Sequence, residues 1–225
     1  MNLNDNFNER VVVHGGTIDW VDSPIAGVRR RMLDRLGDEV ARATTIVEYA
    51  PGSQFSPHVH TGGEEFVVLE GVFSDEHGDF PAGSYIRNPP QSRHTPGSAE
   101  GCVIFVKLWQ FDLADRTHVR QQLDKMGRVE AAHRAGIAVT PLYQDARETV
   151  QVEYWSPGAQ DSGQFVDGAE VLVLEGSITE HNDRLERWSW LRIPRGGVYS
   201  AQAGSQGATV WVKHGHLSEV NPPIQ

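Results

Sequence analysis

The residues best suited to do chemistry lie between Gly52 and Glu65, where His58, His60, Glu64 and Glu65 fall within eight positions. Side chains two apart on a strand project from the same face, so His58 and His60 present two imidazoles side by side. Gly62 and Gly63 supply a tight reversal that brings a carboxylate of the next strand back over them. A two-residue turn on the glycines puts Glu65 on the face of His60, whereas a three-residue loop puts Glu64 there. A third imidazole must come from further along, and His94 follows Asn88-Pro89-Pro90 at the entry to another strand. Three neutral ring nitrogens and one carboxylate hold a first-row divalent transition metal, with ligands at about 2.0–2.2 Å. Zinc or iron suits this donor set, one ion per chain, and manganese, nickel or copper also fits it.

The elements that must position these groups are short β-branched or aromatic runs, such as 44–49, 66–69 and 104–109. Turn signals separate them at Pro51-Gly52, Gly62-Gly63, Pro81-Ala82-Gly83 and Pro96-Gly97. Closely spaced short strands with such punctuation predict an all-β sandwich or barrel. The series then recurs. Val47-Glu48-Tyr49 returns as Val152-Glu153-Tyr154, and the run from Glu65 to Gly71 returns as Glu170 to Gly176. Tyr85-Ile86-Arg87 matches Trp190-Leu191-Arg192, and the run from Ile104 to Lys107 matches Val210 to Lys213. Matches in one order at a nearly constant offset mark an internal duplication. Residues 1–111, with a core at 25–111, are expected to form a first barrel, and 136–225 a second. Between them, 112–135 reads as a linker, with Val119, Leu123, Met126 and Val129 at helix-like spacing.

The second repeat has lost the ligands. Counting from Gly158 puts Gln164 and Val166 at the histidine positions, with Glu170 next; counting back from Gly176 puts Ala169 at the carboxylate position. Tyr199 stands where His94 stands in the first repeat. His214 and His216 repeat the alternate spacing without an evident carboxylate partner, so no metal is expected there. His77 reads as part of a solvated acidic turn, and Tyr85 and Trp109 as packing residues.

A formal charge of −10 over 225 residues argues against nucleic acid as a partner. No apolar run approaches a membrane span, and Met1-Asn2-Leu3-Asn4-Asp5 is too polar to begin a signal peptide. The single cysteine, Cys102, sits in an apolar run and reads as a buried, inert thiol. A soluble cytoplasmic protein is the expectation.

The stretch Gly52–Gly71 fits without a gap the first cupin motif, G-x5-H-x-H-x3,4-E-x6-G, through His58, His60 and Glu64. The second motif runs from Gly83 through Pro89 to His94, with Gln91 and Ser98 replacing its inner Gly and its Asn. The chain therefore resembles the cupin superfamily, in which two tandem jelly-roll (double-stranded β-helix) barrels make a bicupin. The family spacing implies His58, His60, Glu64 and His94 as the metal ligands. The runs after His60 and from Gly71 to Gly83 look more narrowly like the ChrR cupin-like family, which is named for the zinc-binding cupin of an anti-sigma factor. That resemblance implies a small-molecule ligand or substrate, with dioxygenation of diketones or aryl ketones as one activity. It also implies zinc-dependent, oxidant-responsive binding of a sigma factor, though no Cys pair offers the sigma-binding zinc motif. Catalytic residues beyond the ligands are not assigned. In this superfamily edge strands pair barrels, so a monomer with intrachain barrel pairing or a homodimer is implied.

Overall fold

The computed structural model describes residues 1–38, 40–220 and 222–223. Strands make up nearly all of its regular structure; the one helical element among the described residues is a 3-10 turn at Leu123–Lys125. The chain divides into two compact units, one built mainly from Asp19–Lys125 and the other from Asn6–Ile18 with Met126–Val220.

In the first unit a sheet runs in the order Val119–Gln122, Ser84–Asn88, Glu64–Asp75, Cys102–Leu108, Ala41–Tyr49, Val28–Gly37, Val21–Asp22. His58–His60 and Ser92–His94 form a separate two-stranded ribbon. Alternation sends Phe66, Val68, Ile104 and Val106, and a register shift beyond Val68 also brings Phe73, into one buried cluster with Val28, Val47, Ile86 and Cys102. The thiol of Cys102 is buried, and burial pushes its pKa up to about 11, so it is the unreactive core residue expected.

The second unit repeats this order with Val11–His14, Ser189–Ile193, Ala169–Glu180, Gly197–His214, Thr149–Trp155, Ile137–Gln144 and Val129–Glu130. The register of the two sheets is the same: Cys102 faces Gly71 and Tyr49, and Ala208 faces Gly176 and Trp155. A Cβ on Gly71 would lie 2.1 Å from the Gly101 carbonyl, and one on Gly176 at the same distance from that of Gly207. No other residue fits either place. Register also adjusts the sequence comparison by one position. Ile104 faces Val47 while Val210 faces Glu153, so Glu153 occupies the inward place of Val47, and Trp155 that of Tyr49.

The units divide the chain differently from the expected 1–111, 112–135 and 136–225. Val11–His14 pairs with Ser189–Ile193 in the second unit, and Val119–Gln122 pairs with Ser84–Asn88 in the first. Each unit thus closes its sheet with the strand that precedes the other repeat. The bare edges of Ser84–Asn88 and Ser189–Ile193 need partners for their amides and carbonyls. That demand turns the helix-like spacing of 119–129 into a strand, one 3-10 turn and a second short strand, Val129–Glu130.

Candidate metal centre

The ribbon places His94 directly opposite His58 and Ser92 opposite His60. The three imidazoles meet there, with ring centroids 4.8, 5.0 and 4.6 Å apart and planes steeply inclined to one another. One nitrogen from each lies within 4.8 Å of the other two, a grouping able to hold a metal ion. His60 and His94 are buried, and His58 stands at the exposed side. Glu64 lies beside two of them, its Oε2 3.4 Å from His60 Nε2 and 3.6 Å from His94 Nε2.

Glu65 faces the other way, its Oε1 accepting a 2.5 Å hydrogen bond from the Tyr85 hydroxyl. The turn argument for Glu65 fails because His58–His60 pairs with Ser92–His94 and not with Glu64–Asp75, so parity does not carry across the glycines. Within its own strand Glu64 shares the inward face of Phe66 and Val68.

Two carboxylate-side partners were not anticipated from sequence. Asn88, opposite Glu64 in the sheet, donates from Nδ2 to Glu64 Oε2 at 3.2 Å. Asp75, in the acidic turn that carries His77, has its carboxylate buried 3.2 Å from His94 Nδ1. Strand parity from the inward Phe73 could have found Asp75. His77 itself is exposed, as expected.

Hydrogen bonding sets which nitrogens face the centre. His58 Nδ1 lies 3.2 Å from the Ser56 carbonyl, which only accepts, so Nδ1 carries the proton and Nε2 keeps its lone pair. Asp75 does the same for His94. His60 Nε2 is buried and has no hydrogen-bond partner among the described residues. Such an orphaned nitrogen beside a carboxylate and two further imidazoles is what a divalent cation satisfies. Burial opposes charge on both rings. It wins at His60, whose pKa is lowered despite Glu64. At His94 the Asp75 hydrogen bond and the Glu64 charge outweigh burial and raise the pKa. Asp75→Ala removes the acceptor that orients His94, and metal affinity is expected to fall about 10- to 100-fold. Competition titration against a chromophoric chelator measures this.

A cavity of about 620 Å³ leads to His58, His60 and Glu64, walled by Met32, Val47, Phe55, Ile104, Leu108 and Trp109. Tyr49 also lines it, and burial followed by the nearby Glu64 charge raises its pKa, keeping the phenol protonated. Trp109 reaches the wall because Gly62 lacks a side chain: a Cβ there would lie 2.0 Å from the indole ring. Gly62→Ala is therefore expected to cost about 1–3 kcal/mol and to displace Trp109. Urea unfolding and Trp fluorescence are the measurements. Tyr85, by contrast, is fully buried and bonded to Glu65.

In the second unit the corresponding places are Gly163, Phe165, Ala169 and Tyr199. Gly163 faces Tyr199 as His58 faces His94, and Phe165 takes the backbone bonds of His60, accepting from Gly168 and Gly196 as His60 accepts from Gly63 and Gln91. Counting from Gly158, which gave Gln164 and Val166, is thus corrected by the sheet register, while Ala169 stands. Phe165 stacks on Tyr199 at 4.7 Å. Arg134 fills the interior with a fixed positive charge, donating to Glu153 at 2.8 and 2.7 Å and to Asp161 at 2.7 Å. Asp161 also accepts from the Tyr199 hydroxyl at 2.5 Å. His216 does have a carboxylate partner, Glu170, at 3.0 Å. It is not a mate for His214, because Gly215 at φ 91° turns the chain between them.

No helix among the described residues is long and apolar enough to cross a membrane. No curated protein matches the chain in sequence. Among solved structures, a Nostoc punctiforme protein named a "putative dioxygenase" is similar at TM-score 0.78 and 15% identity, covering 95% of this chain and 85% of that one. The Escherichia coli pirin YhhW in complex with nickel(II) gives 0.64 and 14%, covering 92% and 99%. Streptomyces albus HEPD, with 2-hydroxyethylphosphonate and Fe(II) bound, gives 0.66 and 9%, covering 95% and 77%. At these identities the likeness establishes the fold. The family model described as the ChrR Cupin-like domain matches residues 8–112. Residues 8–112 thus match the ChrR Cupin-like domain, and the chain has the fold of its cupin structural neighbours.

Proposed function

We propose that the chain is a metal-dependent bicupin acting on a small molecule in its first unit, with His58, His60, Glu64 and His94 holding one divalent transition metal. The observation that carries this reading is the apolar-walled cavity reaching a buried His60 Nε2 that makes no hydrogen bond among the described residues. A bound ion would supply Lewis acidity and coordination positions for a chelating substrate. The chain's own residues do the rest. Asp75 and the Ser56 carbonyl fix the histidine tautomers, and Asn88 holds the Glu64 carboxylate. Phe55 and Trp109 keep bulk water from the centre, and the protonated Tyr49 hydroxyl offers a hydrogen bond toward a bound ligand.

Iron and oxidative carbon–carbon cleavage of a diketone or aryl ketone is the reaction class this reading favours, supported in kind by the names of the dioxygenase and Fe(II) neighbours. Metal analysis of freshly purified protein, then oxygen uptake with pentane-2,4-dione and 2′-hydroxyacetophenone, tests it. Stoichiometric iron without oxygen uptake on either ketone class would sink the enzyme reading.

The second reading is a zinc-dependent, anti-sigma-like regulator that responds to oxidative stress. Three clustered imidazoles with Glu64 beside two of them favour it, because four such donors can close a tetrahedral zinc site. It requires stoichiometric zinc and co-purification of a sigma factor that zinc removal releases. The open cavity favours the enzyme. A cytoplasmic setting belongs to both readings.

A further inference from the structure

Arg30 sits on the strand Val28–Gly37 and lines the same cavity as His58, His60 and Glu64. Its neighbours on the strand, Arg29 and Arg31, turn to the other face and are partnered there. Arg29 donates to Glu48 at 2.5 Å, and Arg31 lies 4.3 Å over the Trp20 ring. Arg30 is half-buried and has no hydrogen-bond or ion-pair partner among the described residues. The groups whose charges reach it are Arg35, which opposes it, and Tyr49. Among the described residues, no carboxylate is hydrogen-bonded or ion-paired to this guanidinium.

An uncompensated charge in a partly dry wall is costly unless a ligand brings the counter-charge. A planar guanidinium fork matches a carboxylate in two parallel hydrogen bonds. Tyr49 lines the same cavity, and the charges of both Glu64 and Arg30 act on its hydroxyl. Met32, Val47, Phe55 and Ile104 leave apolar walls between them, and about 620 Å³ is within the usual range for a pocket that encloses a small organic molecule.

We infer that the small molecule taken by this site is a carboxylate with an apolar body. Arg30 holds the anionic end, with Tyr49 as a second donor, and the opposite end reaches the His58, His60, Glu64 and His94 centre. This deepens the metal-site reading and rests on it for the second contact. Arg30 is a specificity-determining residue that positions the ligand.

Benzoylformate and its methyl ester share one ketone and one ring and differ in charge. Calorimetric titration of both into EDTA-treated and Co(II)-loaded protein, with metal content measured separately, tests the assignment. The acid is expected to bind about 10- to 100-fold more tightly than the ester in both forms. Arg30→Met is expected to abolish that ratio without changing cobalt stoichiometry or lowering the melting temperature, and Arg30→Lys to restore part of it. Equal affinities for acid and ester, a ratio that survives Arg30→Met, or no binding of the acid overturns the inference. Failure to load cobalt overturns the metal reading instead, and the acid-to-ester ratio in the metal-free protein still decides Arg30.

Discussion

His60→Ala is expected to abolish metal-dependent stabilisation while leaving the metal-free protein about as stable as the wild type. Metal that binds only the folded chain stabilises it by about 4 kcal/mol at a thousandfold excess over Kd. Losing a donor that orients nothing but the ion removes that term. His60 is the informative choice among the three histidines. Its Nε2 is buried without a hydrogen-bond partner among the described residues, whereas His58 and His94 are tied to Ser56 and Asp75. In the metal-free state, alanine deletes an unsatisfied polar atom and leaves a small hole. These effects oppose each other and leave a net change within about 1–2 kcal/mol. Melting temperatures with and without added zinc or iron, together with metal stoichiometry, provide the readout. A variant that keeps the wild-type stoichiometry and the metal-induced rise in melting temperature would show that His60 is not a ligand.

Arg134→Met should be strongly destabilising in the second unit. It strands Glu153 and Asp161, whose side chains are 4% and 12% exposed. Breaking a buried ion pair from one side costs about 3–5 kcal/mol, and the partial exposure of Arg134 places this case near the lower end. The same principle supplies a control. Arg134→Met combined with Glu153→Leu and Asp161→Asn removes the stranded charges and is expected to recover most of the loss. Urea denaturation measures both, and metal stoichiometry should remain that of the wild type because every proposed ligand lies in the first unit. A cost below about 1 kcal/mol for the single variant would mean that Arg134 does not neutralise this interior.

These two expectations differ in how far the sequence foreshadows them. His58 and His60 are legible because alternate spacing on a strand is a local property, and the motif from Gly52 to Gly71 carries Glu64 with it. Arg134 is not. It lies in a stretch read as a linker, and its carboxylate partners come from two strands of the second repeat. Asp75 was hidden for a related reason. Its neighbours Glu76 and His77 are exposed, and only the pairing that brings His94 to its carboxylate separates it from them. The emptied second site was misnumbered by counting along the chain, since the spacing from Gly158 to Gly163 differs from that between Gly52 and His58, and backbone hydrogen bonds supply the correct frame.

The sequence by itself determined the all-β architecture and the duplication, and it singled out His58, His60 and His94 as candidate ligands, with Glu64 the carboxylate that the motif spacing favours. Strand alternation, glycine turns and repeated motifs are written in contiguous residues. Only the tertiary structure decided which unit receives Val11–His14 and Val119–Gln122, because an exposed sheet edge accepts any strand that satisfies its hydrogen bonds. It alone separated Glu64 from Glu65 by geometry, placing His58–His60 and Glu64–Asp75 in different sheets, so that turn parity no longer governs which carboxylate faces the imidazoles. It alone set Arg30 and Tyr49 on the wall of the cavity that ends at those imidazoles, since side chains far apart in the chain share a cavity only once the sheet has curled around it.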